Sequence, residues 1–98
     1  MEKWLQELSE EDRAFIKRFV LASGSLKALA KEYNVSYPTL RVRLDRLISK
    51  IKVLDDPENA DVFRMKIQVL AAEGQISRGV AKDIIRAHEK SKRGTDND

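Results

Sequence analysis

Phe15, Ile16, Phe19 and Val20 recur at intervals of one and three, with Arg13, Lys17 and Arg18 elsewhere on the wheel. That spacing predicts a helix. Ser9-Glu10-Glu11-Asp12 supplies its start, a serine to accept from open amides and three acids to oppose the dipole. Gly24 ends it, because glycine reaches the left-handed conformation without a steric penalty. Trp4, Leu5 and Leu8 precede the cap and are expected to fold back over the core on a short helix of their own.

Ser25 caps a second helix, Leu26 to about Tyr33, with apolar positions at Leu26, Leu29, Ala30 and Tyr33. Asn34 stops it as the non-glycine residue most tolerant of positive φ. Val35 is expected to plug the turn and fill the wedge between helices, and Ser36 caps a third helix. Pro38 does no harm there, since first-turn amides have no partner inside a helix. Leu40, Leu44, Leu47, Ile48 and Ile51 form the buried stripe.

Asp55-Asp56-Pro57-Glu58-Asn59 reads as a boundary at which Pro57 can open a fourth helix. This helix runs to Glu73 before Gly74; Ser77 then caps a fifth, ending near Lys90. The polar tail after it is expected to be disordered. No strand pattern appears. The expected architecture is all-α: a three-helix helix-turn-helix unit over 1–54, a helical hairpin over 57–90 and a disordered tail over 91–98.

The fourth helix is apolar around most of its circumference, through Val62, Phe63, Met65, Ile67, Val69, Leu70 and Ala71. Val80, Ala81, Ile84 and Ile85 on the fifth can cover only one side of it. The other side either packs on the N-terminal unit or associates with a second copy. In the second case Val62, Phe63, Met65, Val69, Ile84 and Ile85 form a homodimer surface.

Composition narrows the function classes. With 98 residues the chain supports one domain, or a small domain with an appended hairpin. Without cysteine there is no disulfide, thiolate nucleophile or cysteine-held zinc. No apolar run exceeds four residues, as in Phe19 to Ala22, far short of the roughly 20 residues of a membrane helix. MEKWLQELSEED lacks the features of a signal peptide, so a cytoplasmic location without membrane contact is expected. The net charge of +3 is uneven. Residues 25–54 carry seven basic and two acidic side chains, whereas the segments before and after each carry one excess acid. A local excess of this kind favours a polyanionic partner.

That basic segment holds the candidate chemistry. Two capped helices joined by a short turn, with Ala30 at their crossing, match the spacing of a helix-turn-helix, whose second helix enters the major groove. Its exposed side offers Tyr37, Pro38, Thr39, Arg41, Val42 and Arg43. Ser36 and Thr39 could hold a phosphate with first-turn amides. Tyr37 and Arg41, one turn apart, could reach base edges, arginine favouring guanine. Pro38 and Val42 could pack on thymine methyls, and Lys27, Arg43 and Arg46 are placed for backbone phosphates.

Asn34-Val35-Ser36-Tyr37-Pro38-Thr39-Leu40 resembles the helix-turn-helix of lactose-repressor-type regulators, and Thr39 to Leu44 is similar to Fis-like helices. Residues 1–54 more specifically resemble an uncharacterised bacterial family with the pattern GNLKE…LGVSYPTVRxRLD. Its counterpart here is Gly24-Ser25-Leu26-Lys27-Ala28 with Val35 to Asp45. Longer members carry a zinc ribbon, which this cysteine-free chain lacks. The resemblance implies double-stranded DNA as partner and a regulatory role. Leu70 to Ser77, followed by Val80-Ala81, is similar to a short helical hairpin appended to many bacterial proteins, which implies oligomerisation or interaction. The rival function is a protein-interaction adaptor that presents the same fold to a partner such as a transcription-machinery subunit.

An enzyme is not expected. His88 is the sole histidine and reads as a packing or capping residue, and Ser9, Ser25, Ser36 and Ser77 read as caps. No metal or cofactor motif is present, so none is expected.

Overall fold

The computed structural model describes residues 1–57 and 61–96, and among them it is all-helical. The helices are α1 (Lys3–Glu7), α2 (Glu10–Leu21), α3 (Leu26–Tyr33), α4 (Tyr37–Leu54), α5 (Val62–Ala72) and α6 (Arg78–Asp96).

Local chemistry sets most of these bounds. The Asp12 amide donates to Ser9 Oγ at 3.1 Å and the Ala28 amide to Ser25 Oγ at 3.1 Å. Between these caps the chain turns through two left-handed residues, Ser23 (φ 55°) and Gly24 (φ 76°). Asn34 sits in the left-handed region at φ 55°, ψ 46°, and the Val35 amide then donates back to the Ala30 carbonyl at 3.0 Å. This closes the end of α3 and aims the chain at Ser36, the cap of α4.

Phe15, Leu29 and Leu40, one from each helix of the three-helix unit, are the largest fully buried side chains. Leu8, Ala30, Leu47 and Leu54 extend this core, with Trp4 and Leu5 of α1 packed against it. The apolar pattern overstated the buried face at three places. Val20 is 67% exposed, and Ile48 and Val35 also stand in solvent. Ala30, Leu29 and Leu40 fill the wedge expected of Val35, because its amide closes the α3 cap while its side chain turns outward.

The hairpin begins later than Pro57. Asp61 caps α5, its Oδ1 accepting from the amides of Phe63 (3.0 Å) and Arg64 (3.3 Å). The Arg64 amide, assisted by Lys92 and the Phe63 amide, holds the Asp61 carboxyl below its ordinary value against partial desolvation. Met65 of α5 joins the core of the three-helix unit and Val69 packs against it. The second side of this apolar helix therefore packs on the N-terminal unit. At the far side Phe63 stacks on His88 of α6, with ring centroids 4.1 Å apart.

The last helix also runs further than the expected end near Lys90, its backbone remaining helical to Asp96. Ion pairs substitute for apolar anchors. Arg64 meets Glu89 at 3.3 Å and Lys92 meets Asp61 at 3.5 Å. Cations in the last turns also suit the C-terminal dipole. Of the tail expected over 91–98, residues 97–98 lie outside the described residues, as do residues 58–60 of the linker.

Candidate nucleic-acid interface

The first turns of α4 are held from behind and open in front. Leu40 locks the helix to the core, while Tyr37, Pro38, Arg41 and Val42 are exposed together. Ser36 Oγ accepts from the Thr39 amide at 3.3 Å and donates to Thr39 Oγ1 at 2.8 Å. The cap thus draws both hydroxyls to one edge of the helix N-terminus. Lys27 is exposed in the first turn of α3 and makes no ion pair among the described residues.

The arginines divide. Arg41 stays on the exposed face but meets Asp45 one turn on, at 3.4 Å, with both side chains about half exposed. An exposed pair of this kind is worth at most about 1 kcal/mol, so it can be exchanged for another partner. Arg43 does not belong to that face. Its guanidinium lies 4.8 Å from the centroid of Phe15 and 5.1 Å from that of Tyr33, where a cation gains from two aromatic rings. Arg46 is drawn toward the hairpin turn: a Cβ added at Gly74 would sit 3.0 Å from its Nε and Nη2. The residues expected to form one basic edge therefore separate into an outward Arg41, a half-buried Arg43 over two rings, and an Arg46 that stays exposed beside the hairpin turn.

Lys50 carries a link that no sequence motif marks. It is 8% exposed, donates to Asp12 Oδ2 at 2.7 Å and lies 3.6 Å from Glu73 Oε1. It thereby ties the first turn of α2 to the end of α5. Together with Arg43, Arg46 and Leu47 these groups line a small cleft. No motif marks Asp45 or Lys50, because their importance comes from their partners.

Of the residues expected at a homodimer surface, Met65 is buried within the chain, and Val69, Ile84 and Ile85 are half-buried. Val62 and Phe63 remain exposed. No helix among the described residues is long and apolar enough to cross a membrane.

No curated protein and no solved structure matches the chain. Residues 8–54, which end where α4 ends, match the model of a family described as "Domain of unknown function (DUF2089)-HTH", and this supports a helix-turn-helix unit of an uncharacterised family.

Proposed function

We propose that this protein is a small DNA-binding transcriptional regulator that sets the first turns of α4, beginning at Ser36, in the major groove. The observation carrying the reading is the exposed set Tyr37, Pro38, Arg41 and Val42 on a helix whose entry is fixed by Asn34 and Ser36. The helix-turn-helix family match over the same residues supports it. Arg41 exchanges Asp45 for a guanine edge, and Tyr37 and Val42 contact neighbouring bases. Ser36, Thr39 and Lys27 take phosphates. A regulator of this kind works in the cytoplasm.

Titration of labelled duplexes at low salt tests this. Binding should weaken steeply with added salt, and Arg41→Ala should lower affinity for a selected sequence by about tenfold or more while flattening sequence preference. Unchanged preference in that variant would remove Arg41 from the interface.

The adaptor reading is favoured by one observation, the exposed apolar pair Val20 and Leu21 at the end of α2. Failure of every duplex to bind at low salt would turn the assignment in its direction. A homodimer, which would double the DNA contacts, rests on Val62 and Phe63 of α5 with Val80 of α6, since Met65 is used within the chain. Sedimentation at high protein concentration should then report twice the 11.2 kDa chain mass; a monomeric mass removes the proposal.

A further inference from the structure

We propose that the junction of α4 with α6 forms a second DNA contact, in which Lys52, Arg78 and Lys82 hold backbone phosphates flanking the bases read by α4. The inference rests on the groove reading of α4 and adds to it a part of the chain outside the helix-turn-helix.

An open groove of about 630 Å³ lies between the end of α4, α5 and the first turns of α6. Its lining is apolar at Val53, Ala71, Ala81 and Ile85, and Lys52, Arg78 and Lys82 also line it as exposed cations. None of the three is in an ion pair among the described residues, in contrast with Arg41, Lys50, Arg64 and Lys92. Among the described residues Asp56 is the lone carboxylate of the lining, against three cations. Arg78 and Lys82 are four residues apart on one helix and share an edge.

The groove continues the face of α4 that carries the candidate base contacts. Pro38, Val42, Asp45, Ser49 and Lys52 follow one another at steps of four and three, which makes a single stripe down the helix. Ser49 and Lys52 are at once the end of that stripe and a wall of the groove. From Arg41 to Lys52 the helix rises roughly 16 Å, more than the approximately 12 Å width of the major groove. With the first turns of α4 in the groove, Lys52 clears it and meets the flanking strand. Arg78 and Lys82 stand beside it on α6. These cations add to the phosphate ligands on the DNA-facing side, where Arg43, held over the rings of Phe15 and Tyr33, supplies none.

The test compares the full chain with the triple variant Lys52→Gln, Arg78→Gln, Lys82→Gln, and with Lys52→Gln alone, on one labelled duplex titrated with potassium chloride. Removing one phosphate-binding cation should reduce the slope of log affinity against log salt by about 0.9. The triple variant should therefore lower the slope by about 2 to 3, equally on every duplex sequence, with its helical circular dichroism unchanged. Lys52→Gln alone should lower it by about 0.9. If the unaltered protein binds DNA and both variants keep its slope, the second contact is wrong while the α4 reading stands. If the unaltered protein binds no duplex at low salt, both fall together.

Discussion

Phe15→Ala is expected to destabilise the protein by about 3–5 kcal/mol, the usual loss for truncating a buried aromatic. For a domain of this size that is a large share of a total near 5–15 kcal/mol. The side chain is 1% exposed at the meeting point of α2, α3 and α4. Its ring packs 5.8 Å from Tyr33 and lies under the Arg43 guanidinium, so truncation removes burial, an aromatic pair and a cation contact together. Little nearby can collapse into the gap, because Leu29 and Leu40 are themselves locked on helices and fully buried. Val20→Ala is the matched control. Val20 lies on the same helix and the same predicted stripe, yet stands two-thirds exposed, so its loss should stay within about 0.5 kcal/mol. Urea unfolding followed by circular dichroism measures both. Equal losses would show that the core is not centred on Phe15.

What the sequence made legible was what local chemistry decides. Ser9, Ser25 and Ser36 each accept from an amide three residues on, and Asn34 takes the left-handed conformation, so α2, α3 and α4 begin or end where the residues predict. Periodicity also identified Leu40 and Leu47 as buried. It failed where a residue's surroundings come from distant chain. Ile48 has the spacing of a core residue, yet it stays exposed. Arg43 and Arg41 are two positions apart, yet one faces two rings and the other faces solvent. Arg46 lies beside Gly74, twenty-eight residues away, a proximity for which the sequence carries no local signal. The start of α5 departs from the one Pro57 predicts for a different reason. Pro57 and Asp61 are both legitimate helix-start signals, and two amides on the Asp61 carboxylate decide between them. The candidate interface was thus visible as a motif, while the sorting of its arginines depended on tertiary contacts.

The second large effect concerns Lys50, and it is expected to be asymmetric. Asp12→Ala should cost about 2–3 kcal/mol, below the 3–5 kcal/mol of a fully buried pair because both partners retain some water. It leaves an ammonium that is nearly out of solvent with only Glu73, 3.6 Å away and more exposed, to balance it. It also removes one of the three acids opposing the dipole at the start of α2. Lys50→Met keeps an aliphatic stem at this buried position, one turn from Leu47 and Leu54, and removes the charge itself. Asp12 then still faces the open amides of its own helix, so the cost should be about 1 kcal/mol or less. The double variant should resemble Lys50→Met plus a small dipole loss, a clear departure from additivity. Because Lys50 reaches α5 through Glu73, Lys50→Met should also raise amide exchange at the end of α5 more than at the end of α3. Equal losses for the two single variants, or strict additivity, would mean that Lys50 is held by its aliphatic stem and that its pair with Asp12 contributes nothing.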